Sequence, residues 1–162
     1  MNGENEIWAR FVEGDSQSLE TIYRCYFADL YTYGLKVHPD TSLVKDAIQE
    51  VFIDLIQRRG RLKVTGAIHL YLFKALRHKI TEELRTRNRK TEIARTITLG
   101  EDVNDNCMEY QIEIQETLTE RQQVIQNVLG KLSAHQREAI YLRFSQGLEY
   151  EDVARITGID VA

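Results

Sequence analysis

A single proline, two cysteines and no long apolar run set the first limits on this chain of 162 residues. Scarce proline leaves helices uninterrupted, and the sparse alternating β-branched runs argue against sheets. Cys25 and Cys107 stand far apart with no partner spacing, which excludes a disulfide framework and predicts free thiols in a reducing compartment. No apolar stretch approaches the roughly 18 residues of a membrane-spanning helix. The opening Met1-Asn2-Gly3-Glu4-Asn5-Glu6 lacks the basic, then apolar, signature of a secretory signal, so a cytoplasmic location is expected. Glycine-rich phosphate loops, nucleophile elbows and His-Glu-x-x-His motifs are missing too, and His38, His69, His78 and His135 have no metal-site spacing. No enzyme, cofactor, metal or small-molecule substrate is expected.

What is present is helical periodicity. Val44, Ala47, Ile48, Val51, Phe52 and Leu55 recur at i, i+3, i+4, i+7, i+8 and i+11, one apolar stripe of a helix from Ser42 to Arg58. Its opposite face carries Asp46, Gln49, Glu50, Asp54 and Gln57. A later helix, from Ala67 onward, places Ile68, Leu72, Ala75, Leu76 and Ile80 inward, with Lys74, Arg77, His78 and Arg85 on a neighbouring face. One helix offers acid and amide, the other positive charge.

The net charge of −4 hides that segregation. Between Arg58 and Arg95 the balance is +9, and the remainder sums to −13. Such a basic block in an acidic protein fits contact with a phosphate backbone, and equally fits a solvated helix face whose charge suits the helix dipole. Charge alone does not separate the two.

The predicted fold is all-α: a helical bundle, a short linker and an incomplete helix-turn-helix. The first domain is expected over residues 1–95, with a first helix running to Val37, a turn at His38-Pro39-Asp40 and a loop through Gly60 and Gly66. Residues 96–115 read as a linker, since Leu99 to Asn106 is acidic, polar and unpatterned. The second unit spans residues 116–162. Ser133 and Gln136 form a capping box that opens a helix to Phe144, and Tyr150 to Thr157 forms another, with Gly158 free to turn left-handed. A following helix would enter the major groove, but the sequence stops at Asp160-Val161-Ala162, where that helix should begin.

These segments resemble the sigma-70 family of bacterial transcription initiation factors, in the group called extracytoplasmic-function (ECF) sigma factors. Asp46-x-x-Gln49-Glu50-x-Phe52 is the most specific match. Gly14-Asp15 followed by Leu19, Ile22-Tyr23, Tyr26 and Leu30-Tyr31 is similar to the family's first conserved helix, and Tyr71-Leu72-Phe73-Lys74-Ala75-Leu76-Arg77-His78 to its aromatic and basic run. Leu132-Ser133-x-His135-Gln136-Arg137-Glu138, Leu142-Arg143 and Gly147-Leu148-x-Tyr150-Glu151-Asp152-Val153-Ala154 resemble the start of region 4.

The resemblance implies that residues 1–95 are region 2, and that residues 116–162 are region 4 without its recognition helix. It implies that Asp46, Gln49 and Glu50, with Asp54 beside them, meet a coiled-coil of the largest subunit of core RNA polymerase, where acceptors suit a partner presenting arginines. Phe52 and Phe73 are expected in the core. Opening promoter DNA requires aromatic platforms and basic groups that hold an unstacked strand. Tyr71, Lys74, Arg77, His78, Lys79 and Arg85, with Arg61 and Lys63 in the preceding loop, supply them. Family members often have Trp in place of Tyr71 and Asn in place of His78, the latter lining a pocket for an extruded base, so the base preference of this chain does not follow from theirs. The expected function is that of an alternative sigma factor recognising and melting the minus-ten promoter element, with core RNA polymerase, promoter DNA and an anti-sigma factor as partners. Two alternatives stand beside it: a sigma-like decoy that binds polymerase or an anti-sigma factor without initiating, and a simple helix-turn-helix regulator.

Overall fold

A computed structural model describes residues 2–62, 68–97 and 130–158. Among them there are helices and turns and no strand. The elements are α1 (Asn2–Glu13), α2 (Ser16–Val37), α3 (Thr41–Arg58), a 3₁₀ turn (Arg59–Arg61), α4 (Ile68–Ile97), α5 (Ala134–Ile140) continuing into a π-helical turn (Tyr141–Ser145), and α6 (Tyr150–Thr157). No described helix is long and apolar enough to cross a membrane.

Each boundary has a local cause. Gly14 takes a φ of 115°, which lets α1 end and the Asp15 amide reach back to the Arg10 carbonyl at 3.0 Å. Asp15 then caps α2, accepting from the Gln17 amide and the Ser18 hydroxyl. The Ser18 hydrogen bond is the main cause that holds its carboxyl below the usual aspartate range, because it favours the charged form. Asp40 repeats the device for α3, taking the Ser42 and Leu43 amides at 3.0 Å. The Leu43 bond is the first cause of its lowered pKa, with Arg87 of α4 contributing at 3.2 Å. The expected capping box of α5 is present, with Ser133 and Gln136 each holding the other's amide.

The predicted stripe of α3 is buried along its length, from Val44 to Leu55. Ile68, Leu72, Leu76 and Ile80 of α4 are buried opposite it, while Ala75 is only partly covered. Phe52 and Phe73 lie in the core as expected. Each such side chain removed from water contributes roughly 1.5–3 kcal/mol. Helix α1 was absent from the sequence expectation. It adds Trp8 and Phe11 to the core, and Trp8 reaches the Tyr71 ring at 6.2 Å.

α5 packs on α2 and α6 packs on α4. Leu142, Leu148, Val153 and Ile156 belong to the same apolar cluster as Leu30, Tyr33 and Phe73. Two short helices with so few buried side chains are too small to close a core among themselves, so they complete their burial on the bundle. Gly147 and Gly158 supply the left-handed turns around α6, at φ 65° and 71°. The expected linker began at residue 96, but residues 96–97 still belong to α4; residues 98–115, Lys63, Cys107 and the stretch from Glu116 to Leu129 lie outside the described residues.

Candidate functional site

Helix α3 turns Asp46, Gln49 and Glu50 to solvent, as its periodicity required. Ile53 and Ile56, 42% and 47% exposed, share this face at four and seven residues beyond Gln49. They give the acidic surface an apolar strip, which the sequence reading left unassigned. Their signal was available: two isoleucines that the inward stripe of α3 does not use. At its edge Tyr23 of α2, also partly exposed, stands edge-on to Phe52 with ring centroids 5.0 Å apart.

Asp54 differs from its neighbours. It is half-buried and takes Lys79 of α4 at 2.9 Å, while Glu50 takes the same ammonium at 3.2 Å. The Asp54 hydrogen bond is the largest cause that raises the Lys79 pKa above the ordinary lysine value; Glu50 adds to it and partial burial opposes it. Lys79 was expected on the basic face. Instead it bridges the two helices, because position 79 follows the buried row of α4 and turns toward α3. Beside it, Asp46, Glu50, Glu82, Glu83 and Arg87 line a groove of about 330 Å³.

The remaining basic candidates separate into two groups. Lys74, His78 and Arg85 are exposed on one side of α4, as is Arg61 at the end of the 3₁₀ turn; Lys63 is outside the described residues. Tyr71 is half-buried, its ring tilted against that of Trp8. Arg77 stands apart from Lys74 and His78. Its side chain is only 17% exposed, and its Nε donates to Glu138 Oε1 of α5 at 2.8 Å. The arrangement therefore offers an acidic and apolar face on α3, and a cationic and aromatic face on α4 fit to track a nucleic-acid strand.

The second unit has its own exposed aromatics. Phe144, within the π-helical turn, is 77% exposed, and the Arg143 guanidinium lies 4.8 Å over the Tyr150 ring. Neither the π turn nor this exposure was legible in the sequence. No group of His, Cys, Asp and Glu among the described residues could hold a metal ion.

Comparison with known proteins matches this geometry to one family. The family model described as sigma-70 region 2 matches residues 22–90, and that described as sigma-70, region 4 matches residues 117–162. The ECF RNA polymerase sigma factor SigM of Bacillus subtilis is 22% identical over 149 residues, covering 90% of this chain and 85% of its own. The RNA polymerase sigma factor YlaC of the same organism is 24% identical over 143 residues, covering 87% and 80%. Two solved structures share the fold. The sigma factor RpoE in complex with the anti-sigma factor NepR, from Bartonella quintana, has a TM-score of 0.60 at 20% identity, covering 87% of this chain and 83% of that one. CnrH in complex with the cytosolic domain of CnrY has a TM-score of 0.60 at 18% identity, covering 97% and 84%.

Proposed function

The chain belongs to the sigma-70 family of transcription initiation factors, in its extracytoplasmic-function group, and from that premise we propose that it docks on core RNA polymerase through α3 and opens promoter DNA with α4. Catalysis is the polymerase's; a sigma factor contributes binding energy and strand separation. The observation that carries the reading is the division of faces: Asp46, Gln49, Glu50, Ile53 and Ile56 are exposed on α3, and Lys74, His78 and Arg85 on α4.

Docking by α3 combines acceptors for arginine forks with two isoleucines, the mixture of charge and buried apolar surface that orients and holds a protein partner. Lys79 stiffens the pair of helices by tying α4 to Glu50 and Asp54. Asp54 thus acts on docking through the position of α4 and through Lys79 more than by direct contact.

At the DNA face, unstacked bases of the minus-ten element stack on Tyr71 and meet His78, while Lys74, Arg85 and Arg61 follow the phosphates. His78 Nδ1 lies 3.6 Å from Glu82, one turn along α4, with both side chains exposed. An anti-sigma protein that covers the α3 or α4 face would silence the factor; the similar sigma factor RpoE is itself in complex with an anti-sigma factor, NepR.

The test is promoter opening. Core polymerase reconstituted with the chain is expected to make thymines of the minus-ten element reactive to permanganate on a supercoiled promoter library. A complex that forms with polymerase yet leaves every promoter unreactive would favour a decoy.

A further inference from the structure

Glu138 is the group that the docking and DNA faces leave unused. It is a carboxylate of the second unit, 4% exposed, whose Oε1 accepts from the Tyr33 hydroxyl at 2.7 Å and from Arg77 Nε at 2.8 Å. Both donors belong to the N-terminal bundle, on α2 and α4. His135 approaches the second oxygen at 3.7 Å. The Tyr33 ring, fully buried, lies between Phe73 at 4.9 Å and Tyr141 of the second unit at 6.2 Å, the latter stacked nearly parallel.

A carboxylate is costly to bury, and two donors aimed at one oxygen are what make its burial tolerable. Buried ion pairs add little net stability, and their best-attested use is to specify one arrangement over another. The arrangement specified here is the seating of α5 on α2 and α4. The same contact occupies Arg77, whose guanidinium would otherwise suit a phosphate, since carboxylate and phosphate compete for the same fork of donors.

We infer that Tyr33, Arg77 and Glu138 form an intramolecular latch: with the second unit seated, Glu138 stands where a DNA phosphate would meet Arg77, so seating and strand binding exclude each other. The inference rests on the proposed sigma-factor reading and on the DNA-facing role that the family resemblance implies for Arg77. By linkage, DNA that takes Arg77 loosens the seated unit, and a change that unseats the unit while keeping Arg77 strengthens DNA binding.

The full chain tests this with two readouts: radius of gyration from small-angle scattering, and anisotropy of a fluorescein-labelled single-stranded oligodeoxynucleotide of mixed sequence. Glu138→Ala is expected to raise the radius of gyration and to tighten DNA binding by about tenfold, within the usual range of coupling between sites. Tyr33→Phe keeps the ring and removes one donor, so a smaller shift in the same direction is expected. Adding Arg77→Ala to Glu138→Ala should keep the expansion and erase the gain in affinity. A folded Glu138→Ala protein with unchanged size and affinity would overturn the latch. Expansion without a gain in affinity would overturn the competition and place the error in the DNA role of Arg77. Should circular dichroism show Glu138→Ala unfolded, Tyr33→Phe decides: folded and unchanged in both readouts, it refutes the inference.

Discussion

Gly34→Leu is expected to leave the chain without a cooperative thermal transition, and Gly34→Ala to lower its stability measurably. Gly34 is buried in α2 where α3 crosses closest: a Cβ built there would stand 2.5 Å from Val44 Cγ1. Val44 is itself fully buried on the inward stripe of α3, so neither backbone nor side chain has free space to move into. Overfilling such a contact costs typically about 1–3 kcal/mol. Against this, alanine gains roughly 1 kcal/mol over glycine from helix propensity. The net for Gly34→Ala is a loss on the order of 1 kcal/mol. Val44→Ala should partly rescue it, giving a double variant more stable than the two single losses added together, which is the signature of direct contact. Denaturant titration followed by circular dichroism measures all three. Strict additivity would show that the helices do not meet there.

Reversing the charge of Lys74 and Arg85 together is expected to remove promoter opening while leaving polymerase binding intact. Both side chains are exposed on α4, and neither forms an ion pair with α3. Lys79 and Arg87 hold α4 to α3 and the start of its helix, so the reversal leaves the frame of the bundle in place. Each phosphate contact to a single strand contributes about 0.7 to the slope of log affinity against log salt, so losing two should flatten that slope by about 1.4. At about 0.1 M salt a loss of roughly tenfold or more in single-strand affinity is expected. Anisotropy across a salt series measures both quantities. An unchanged slope would mean that this face of α4 does not meet phosphate.

Much of this fold was legible in the residues, and the exceptions share a cause. The stripes of α3 and α4 were readable because each is local, repeated over several turns and bounded by caps such as Asp40. Ser133 with Gln136 was readable for the same reason. Helix α1 escaped because Ile7, Trp8, Phe11 and Val12 make barely more than one turn of pattern before Gly14. The ion pairs of Lys79 with Glu50 and Asp54 were not legible, because a lysine beside a basic row looks alike whether it faces solvent or an acidic neighbour; only the crossing of α3 and α4 decides. Glu138 was illegible in principle. Its partners lie 105 and 61 residues away, and nothing near it in sequence marks a helix carboxylate as buried. The seating of α5 and α6 on the bundle follows from the same long-range contacts.

Docking through α3 is the central proposal, and one measurement tests it most directly: co-purification of the chain with bacterial core RNA polymerase at moderate salt, beside Glu50→Arg with Gln49→Ala. Lys79 also pairs with Asp54 at 2.9 Å, a contact that does not depend on Glu50, so the double variant is expected to retain its helical signal and melting transition. The parent should co-purify, and the variant should be lost from the polymerase fraction. A folded variant that co-purifies as well as the parent would contradict docking through α3.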